Sequence, residues 1–588
     1  MAETLDGLKV RIRELEKEVE RWKSQVKSVR YGLNWMDVPE AFDKDSEDKI
    51  PILEEVAEKA VDAEGPLTGK PPHVIIEGDN YHALTCLNYT HRGKIDVIYI
   101  DPPYNTGSDG FTYKDKRFLT EFPDGQKVPK EHPLRHSYWL SFMEKRLKLA
   151  KNLLSDKGVI FISIDDNEQA NLKLLCDKVF GEGNFVANLI WQKKFSPQND
   201  AKWFSDNHDF IICVAKDKTN WHPNLLARGK ESLSRYSNPD NDPRGVWSST
   251  DLAVKTYTKE YDYPITTPSG KVVSPTNGRC WMTSQERMQK LIEDNRIWFG
   301  KKGNNMPRYK TFLSEVQQGI VPLTIWLHEE VGHNQSAKQE LKKIFSDTHL
   351  PFETPKPTTL LERIIQISTN QNQKSVILDF FAGSGTTLHA TLNLNKEDDG
   401  NRQCILVQQA EGDNNICENV TYERNRRVMC GYTSISAQSK QTEVEGLGGS
   451  LKYYKTGFVG KHQSKNANDA DKVELAEKAG CLIALAENTL ETIKVPKAAK
   501  GFWQIYSDNA EKKKRYTCIY HNGDYGKVPD FVAKIDELRA TDKKSKFTVY
   551  VFSWNSPDFF ENEFDDLKNI EIKAIPKPIL EIYKALNG

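Results

Sequence analysis

The sequence lacks several patterns that define whole classes of protein. Its nine cysteines are scattered, without a Cys-x-x-Cys pair or a Cys/His cluster at zinc spacing, so neither a disulfide framework nor a structural zinc site is expected. No run of eighteen apolar residues occurs, and the charged N-terminus differs from a signal peptide. Neither sign of charge is in excess, since 82 Lys and Arg face 83 Asp and Glu, so any basic surface must be local. These absences predict a cytoplasmic protein with reduced thiols and no membrane partner.

The length and the local composition predict several domains. Single hydrophobic cores stop growing well below 588 residues. Strand and helix patterns alternate over 73–215 and again over 331–433, which predicts an α/β core built from two separate parts. Between them, 216–330 is rich in Gly, Pro, Asn and aromatic residues with short strand patterns, which indicates an inserted domain. A polar stretch then leads to a small α+β domain within 434–588, and 1–72 forms an N-terminal helical segment and linker.

A heptad pattern marks the N-terminal segment. Apolar residues alternate in steps of four and three, at Leu8, Ile12, Leu15, Val19, Trp22, Val26 and Val29. This spacing predicts a helix with one apolar seam about three heptads long. The helix either lies on its own domain or pairs with another copy or subunit, and the sequence leaves both interpretations open.

The first motif that carries chemistry is the turn Asp101-Pro102-Pro103-Tyr104, which directly follows an apolar strand pattern over 94–100. The two prolines stiffen the exit from the strand, so that the Asp101 carboxylate and the Pro102 carbonyl point the same way. Two aligned acceptors can bind both hydrogens of an exocyclic amine and direct its lone pair. The Tyr104 ring offers a flat face on which an extruded base can stack. The turn therefore predicts the acceptor site of a methyl transfer to an amine.

The second motif is a glycine loop, Phe381 to Thr386, which follows a second apolar run over 375–380. Gly383 and Gly385 allow the backbone to approach a ligand closely, and Thr386 opens a helix whose N-terminus faces that ligand. The third glycine of a dinucleotide fingerprint is missing, since Leu388 stands in its place. S-adenosylmethionine fits this loop better than NAD, and the Asp379 carboxylate is then expected to bind the donor's amino group.

Several collinear stretches resemble one known family over nearly the whole chain. They are Tyr31-Gly32-Leu33-Asn34-Trp35, Ile76 to Leu84, Ile98 to Gly107, Arg135 to Leu140, Ile162 to Glu168, Phe352 to Pro357 and Asp379 to Thr387. A donor loop placed after the catalytic turn resembles the β-class of amino-methylating DNA methyltransferases. The similarity is closer still to the modification (Mod) subunits of Type III restriction–modification systems, which are DNA adenine-N6 methyltransferases. The resemblance implies a circularly permuted, Rossmann-like α/β core that binds S-adenosylmethionine and acts on double-stranded DNA.

The resemblance also implies roles for individual residues. Asp79, with Asn80 beside it, is expected to contact the adenine ring of the donor, although Asp79 also suits the N-cap of a helix. Lys356 lies in a turn expected near the donor's methionine end, where its charge suits a carboxylate. Gln408 stands where methyltransferases usually carry an acid that binds the ribose, so this contact departs from the family pattern. Trp191 and Phe195 are candidates for the second wall of the base pocket.

Family resemblance further predicts partners. Residues 216–330 correspond in position to the family's target-recognition region, and a homodimer and a helicase-nuclease (Res) subunit are the expected partners. Three alternatives remain open: an orphan adenine methyltransferase without a nuclease, a catalytically silent DNA-binding protein, and a single-chain methyltransferase-nuclease. The last rests on Pro557-Asp558 and Glu571-Ile572-Lys573, a loose match to a metal-dependent nuclease pattern. Adenine is preferred over cytosine because cytosine-N4 enzymes more often carry Ser in place of Asp101.

Overall fold

The computed structural model describes residues 15, 16, 19, 35–37 and 49–586, with gaps at 108–116, 122–125, 131, 230–232, 277, 317–318, 349–351, 411–414, 436–439, 511, 542, 554–559, 561–563 and 565–568. Of the predicted heptad seam, Leu15 and Val19 are described and exposed, and its other members lie outside the described residues. Pro557 and Asp558 lie outside them as well.

Residues 73–215 alternate strands and helices, as their apolar periodicity predicts, whereas two further strands of the core lie within 50–63, where a helical segment and linker were expected. The strands of this first part of the core are β1 (Ile50–Glu55), β2 (Val61–Ala63), β3 (His73–Glu77), β4 (Ile95–Ile100), β5 (Leu154–Ile164), β6 (Phe185–Gln192) and β7 (His208–Ala215). Its helices are α1 (Asn80–Thr90), α2 (Ser137–Leu153) and α3 (Gln169–Phe180). Strands β3 and β4 are almost wholly buried, which explains why they appear in the sequence as continuous apolar runs.

Residues 223–322 form a compact unit of their own. Its strands are β8 (Trp247–Asp251), β9 (Ala253–Val254), β10 (Ile265–Thr266), β11 (Val272–Val273), β12 (Cys280–Trp281), β13 (Ile297–Trp298) and β14 (Arg308–Phe312), and its helix is α4 (Gln285–Glu293). A small core around Trp281 and Met288 holds the unit together. The Lys310 ammonium is fully buried and is paired with the carboxylates of Asp240 and Asp242. The role of this unit in target recognition stays a prediction.

The second part of the core returns to the α/β pattern. Its strands are β15 (Ile325–Trp326), β16 (Val376–Asp379), β17 (Gln403–Gln408), β18 (Gly431–Ile435), β19 (Gln441–Glu445) and β20 (Gly449–Val459). Its helices are α5 (His328–Val331), α6 (Asn334–Ile344), α7 (Thr358–Ser368), α8 (Thr386–Asp398) and α9 (Glu423–Cys430), with a π-helix at Cys417–Tyr422 before α9. The core sheet extends past the expected boundary at residue 433, because β20 pairs with β1, β2 and β3.

One mixed sheet organises both parts of the core, in the order β1-β20-β3-β17-β16-β4-β5-β7-β6-β15, with β2 beside β20. The strands from β20 to β5 are parallel, and β7 runs antiparallel to both β5 and β6. Strands β3, β17, β16 and β4 therefore end at the same edge. In parallel sheets ligands bind at this carboxyl edge, and both motifs of the sequence lie there.

The C-terminal residues form a separate five-stranded sheet, with the strand order β21-β22-β23-β24-β25. The strands are β21 (Glu491–Thr492), β22 (Trp503–Ser507), β23 (Arg515–Tyr520), β24 (Lys546–Phe552) and β25 (Ile570–Ile575), and the helices are α10 (Asp469–Lys478), α11 (Gly480–Glu487), α12 (Val528–Thr541) and α13 (Lys577–Leu586). A core around Trp503, Phe531 and Val549 lies on this sheet. Among the helices that the structure describes, none has both the length and the apolar character needed to span a bilayer.

Candidate active site

The turn predicted to be catalytic, Asp101 to Tyr104, leaves the sheet at the end of β4, next to the strand that precedes the glycine loop. Val97 and Ile98 of β4 pair with Ile377 and Leu378 of β16. Asp101 and Asp379 are therefore brought to neighbouring strand ends, although they lie far apart in the chain. The two predicted motifs meet at one site.

Both carboxylate oxygens of Asp101 are held by donors. The Tyr104 hydroxyl donates to Oδ1 at 2.9 Å, and the Lys356 ammonium donates to Oδ2 at 2.6 Å. Lys356 also lies 3.2 Å from the Tyr104 hydroxyl. The lysine expected at the donor's methionine end thus contacts the Asp101 carboxylate, and its contact with the donor stays a prediction.

The two prolyl carbonyls of the turn differ in their environment. The buried Trp139 indole of α2 donates to the Pro103 carbonyl at 2.7 Å. Within the described residues, the Pro102 carbonyl accepts no hydrogen bond. The turn is thus fixed from behind through Pro103, and the role of the Pro102 carbonyl as an acceptor beside Asp101 stays a prediction.

A second pair of charged groups supports the Tyr104 hydroxyl. The buried Asp209 carboxylate of β7 lies 3.5 Å from that hydroxyl and accepts from the Lys193 ammonium at 2.7 Å. Burial raises the pKa of Asp209, and the charges of Lys356 and Lys193 oppose this rise. Burial and the neighbouring carboxylates raise the pKa of Tyr104 well above its usual value, so its hydroxyl stays protonated and acts as a donor.

The chain that follows the turn is anchored by the buried carboxylate of Glu168. Its Oε1 accepts from the Asn105 side chain at 2.6 Å and lies 2.5 Å from Nδ1 of His136. Its Oε2 accepts from Asn171 at 2.8 Å. The hydrogen bond to Glu168 raises the pKa of His136 despite partial burial. This network fixes Asn105 in the left-handed conformation (φ 58°) in which the chain leaves the turn.

The glycine loop has the backbone that its sequence requires. Gly383 and Gly385 have φ values of +50° and +71°, in the left-handed region that favours glycine. A Cβ on Gly385 would lie 2.4 Å from Nδ2 of Asn425, and a Cβ on Gly383 would lie 3.3 Å from the Phe352 ring. Thr421 donates to the Gly383 carbonyl at 2.6 Å. The loop is thus closely packed behind Gly385, where a larger residue would displace it, and a side chain on Gly383 would meet the Phe352 ring.

Asp379 is a buried carboxylate at the base of the glycine loop. The Thr387 hydroxyl donates to Oδ2 at 2.6 Å, and the Phe381 backbone N–H donates to Oδ1 at 3.0 Å. Burial raises the pKa of Asp379 to about 7, and the hydrogen bonds oppose this rise. A carboxyl group with a strongly perturbed pKa beside a cavity is a candidate functional group, and its ionised form can pair with a cation.

Asp79 and Asn80 begin helix α1 at the end of β3. Asp79 caps the helix by accepting from the Tyr81 N–H at 2.8 Å, so its expected role as an N-cap is confirmed. Asn80 donates to the Phe380 carbonyl at 3.0 Å and accepts from the buried Arg146 guanidinium. These bonds tie the end of β3 to the glycine loop two strands away.

Gln408 ends β17, where the family usually carries an acid. Its side-chain carbonyl accepts from the Gly383 N–H at 2.7 Å, and its amide donates to the Gln409 carbonyl at 3.2 Å. The side chain therefore lies against the glycine loop. Its contact with a ribose stays a prediction.

One cavity contains most of the predicted site residues. Those that line it are Asn80, Asp101, Pro103, Lys356, Asp379, Phe381, Gly383, Thr386 and Gln408. Pro102, Tyr104, Asp79 and Gly385 are not among the lining residues. Sequence reasoning missed Phe142, Phe352 and Arg117, which also line the cavity. Phe352 begins one of the stretches that carry the family resemblance, whereas Arg117 and Phe142 carry no local signal.

The two candidates for a second aromatic wall have other contacts. Trp191 is buried, and its indole donates to the Gly332 carbonyl at 3.0 Å. Phe195 is about half exposed and stacks on His328 and His333, with ring centroids 5.7 and 5.3 Å apart. Neither ring lines the cavity.

An acidic Pro-Pro-Tyr turn and a glycine loop at one edge of a parallel sheet define a class of enzyme, the methyltransferases that act on amines. The sequence profile of the DNA methylase family matches residues 95–432, which include both motifs. The chain belongs to the DNA methylase family. The predicted enzyme class, a DNA methyltransferase with S-adenosylmethionine as methyl donor, is confirmed.

Curated relatives narrow the resemblance to Type III modification subunits. The StyLTI Mod subunit of Salmonella typhimurium is 36% identical over 73% of this chain and 67% of its own length. The EcoP15I Mod subunit of Escherichia coli is 29% identical over 63% of this chain and 62% of its own length. The prediction that the chain is a Mod-type methyltransferase is confirmed. The chain spans about two thirds of the length of these relatives.

A solved structure shows a more distant resemblance. The PvuII cytosine-N4-specific DNA methyltransferase is 13% identical, with a TM-score of 0.28, and the match covers 61% of this chain and 95% of that one.

Proposed function

We propose that the chain methylates the N6 amine of adenine at a short, specific sequence in double-stranded DNA. The observation that carries the proposal is the junction of two sites in one cavity: the Asp101 carboxylate borders the same space as Asp379 and the Gly383 loop. One set of residues suits the amine that accepts a methyl group, and the other suits a donor that carries it.

The lining residues fit S-adenosylmethionine by their chemistry. The buried Asp379 carboxylate suits the donor's ammonium group, and the Lys356 ammonium suits its carboxylate. The backbone at Gly383 offers a surface that a side chain would fill. When bound, S-adenosylmethionine supplies an electrophilic methyl group on a sulfonium centre. The protein's contribution is to hold the donor at this edge and to exclude other alignments.

The acceptor side supports direct transfer to an amine. Asp101 and the Pro102 carbonyl are two acceptors for the two hydrogens of the adenine amine, and Tyr104 offers a ring for the extruded base. Lys356 and the Tyr104 hydroxyl orient the carboxylate before any base arrives. This preorganisation lowers the cost of alignment at the moment of transfer.

The order of elements supports a circularly permuted core with an inserted recognition domain. The catalytic strand β4 precedes the donor strand β16 in the chain, while the two strands are neighbours in the sheet. The separate unit of residues 223–322 falls between them in the chain. We assign this unit, within the expected 216–330, to reading the DNA sequence.

Similarity to Mod subunits supports a modification role beside a Res helicase-nuclease, with the chain acting as a homodimer. The N-terminal heptads or the C-terminal domain are the candidate docking segments. Light scattering of the full chain should give twice the monomer mass. Deletion of a docking segment should halve that mass, and an unchanged mass would exclude that segment.

The alternatives make different predictions. A gene for a large ATP-dependent helicase-nuclease beside this one distinguishes a Mod subunit from an orphan methyltransferase. DNA cleavage by the purified chain with a divalent metal would support a methyltransferase-nuclease. Against that alternative, the Lys573 ammonium is 2.9 Å from the Glu487 carboxylate in an ion pair of the C-terminal domain.

Product analysis tests the proposal. The purified chain is incubated with unmethylated genomic DNA and S-adenosylmethionine, and the nucleosides are then analysed by mass spectrometry. We expect N6-methyladenine from the wild-type chain and none from Asp101→Ala. Methylcytosine as the product, or equal product from the variant, would contradict the proposed function.

A further inference from the structure

The loop between β6 and β7 presents two aromatic side chains to solvent. Trp203 is 82% exposed and Phe204 is 95% exposed. Large rings in a folded protein normally bury most of their surface, and adjacent exposed rings mark interaction sites. We call residues 193–207 the rim loop.

The rim loop has an ordered set of internal bonds. Its base is closed by a backbone bond from the Lys194 N–H to the Asn207 carbonyl at 3.2 Å. Across its middle, the Gln198 N–H donates to the Ser205 hydroxyl at 2.8 Å, and that hydroxyl donates to the Asn207 side chain at 2.6 Å. The exposed rings thus lie on the returning arm of a built loop.

The base of the rim loop is directly connected to the catalytic turn. Lys193, its first residue, pairs with Asp209 at 2.7 Å, and Asp209 lies 3.5 Å from the Tyr104 hydroxyl. Strand β7 begins beside the end of β5, where Phe210 pairs with Ile164. The loop therefore leaves the sheet at the edge where Asp101 lies.

The loop carries three lysines and two aspartates, and one of the lysines lies beside an exposed ring. The Lys202 ammonium lies 5.3 Å from the centroid of the Trp203 ring. A cation beside an exposed ring is the combination that binds a phosphate backbone while the ring stacks on bases. A duplex at the active site is the partner that matches both features.

We propose that Trp203 and Phe204 contact the DNA duplex at the target adenine and stack in the space that the extruded base leaves. The inference rests on the proposed function, because a base must leave the duplex to reach Asp101. Inserted apolar side chains are a general means of unstacking a base step. The rim loop would then stabilise the extruded state that the catalytic turn uses.

The test compares the double variant Trp203→Ala/Phe204→Ala with the wild-type chain. The matched control is Leu174→Ala, which truncates an exposed apolar side chain on α3. Substrates are duplexes with the motif found by sequencing the methylated DNA, either fully paired or with an abasic site opposite the target adenine. Methylation rate, DNA affinity and the fluorescence of 2-aminopurine at the target position are measured.

We expect the double variant to lose about 10- to 100-fold in kcat/KM on the paired duplex, as for the loss of one or two stacked bases. The abasic duplex should restore the rate to within about threefold, and the 2-aminopurine signal should fall only on the paired duplex. Donor affinity and the melting temperature should match those of Leu174→Ala. Rescue by the abasic site separates stacking from a merely structural role.

Three results would overturn the inference: an unchanged rate on the paired duplex, an equal loss on both duplexes, or a change of oligomeric mass with unchanged DNA affinity. The last would assign the rings to a second copy of the chain. A wild-type chain that neither binds nor methylates DNA would overturn the proposed function as well. Normal methylation by the double variant would overturn this inference alone.

Discussion

Replacing Thr387 with valine removes one hydroxyl from the buried Asp379 carboxylate and leaves the side-chain volume almost unchanged. The hydroxyl donates to Oδ2 at 2.6 Å. A hydrogen bond to a charged group contributes about 1.5–3 kcal/mol. Because one pKa unit corresponds to about 1.4 kcal/mol, the loss should move the titration of Asp379 upward by about one to two pH units.

The sign of the effect on donor binding follows from the charge. Burial raises the pKa of Asp379 to about 7 in the folded protein, from an ordinary value of 3.8. An acid whose pKa is raised in the folded state favours folding in its protonated form. The contribution of Asp379 to the free energy of unfolding is therefore fully present below pH 3.8 and is lost as pH rises through about 7. The donor's ammonium needs the ionised form, so wild-type donor affinity should rise with pH up to about 7 and fall again as the donor's own α-ammonium, with an ordinary pKa of about 7.7–8.0, loses its proton.

Isothermal titration calorimetry of S-adenosylmethionine between pH 5.5 and 9 measures this dependence. At pH 7, Thr387→Val should bind the donor about 5- to 50-fold more weakly than wild type, because a smaller fraction of Asp379 is ionised. Thr387→Ser keeps the hydroxyl and should follow the wild-type curve. The donor's own titration is common to all three proteins. Coincident curves for Thr387→Val and wild type would refute the assigned contact between Asp379 and the donor.

Three further substitutions test other parts of the site. Trp139→Phe leaves the buried Pro103 carbonyl without its donor, at a cost of about 1–3 kcal/mol. Thermal melting should show a lower stability, and single-turnover kinetics should show a lower rate. An unchanged rate would mean that the turn is positioned by other contacts. Glu168→Gln removes the partner that raises the pKa of His136. The stabilisation from the His136–Glu168 pair is full below the ordinary histidine pKa of about 6.5 and is lost as pH rises through the raised value. In denaturant unfolding, the variant should therefore lose more free energy of unfolding at pH 6 than at pH 9. Equal losses at the two pH values would contradict the pairing. Gln408→Glu should bind the donor more tightly in calorimetry, since a carboxylate can accept from both ribose hydroxyls, and weaker or unchanged binding would argue against the predicted ribose contact.

The strands that carry the motifs could be predicted because their sequence signal is local. Strands β4 and β16 are buried, continuous apolar runs that end at the catalytic turn and the glycine loop. Strand β20 was missed because its sequence resembles a polar connection. The strand itself contains two lysines, two glycines and a serine. In the sheet its Tyr453 is buried, Lys452 pairs with the half-exposed Glu491, and Lys455 pairs with the buried Glu77 of β3.

The contacts between distant segments could not be predicted from local patterns. The ion pair of Lys356 with Asp101 joins residues 255 positions apart. The motif predicts a lysine near the donor, but only the sheet order β16-β4 brings it to the catalytic carboxylate. The same holds for Asp209, whose place beside Tyr104 depends on the register of β7 against β5 and β6.

The most direct test of the central claim is the methylation pattern that the chain produces in a cell. The full chain is expressed in a host without its own adenine methyltransferases, and the genome is read by modification-sensitive sequencing, with Asp101→Ala as the matched control. We predict N6-methyladenine at one short sequence motif in cells with the wild-type chain and its absence with the variant. Methylation of cytosine, or adenine methylation that persists with Asp101→Ala, would contradict the assignment of Asp101 and its turn to amine methylation.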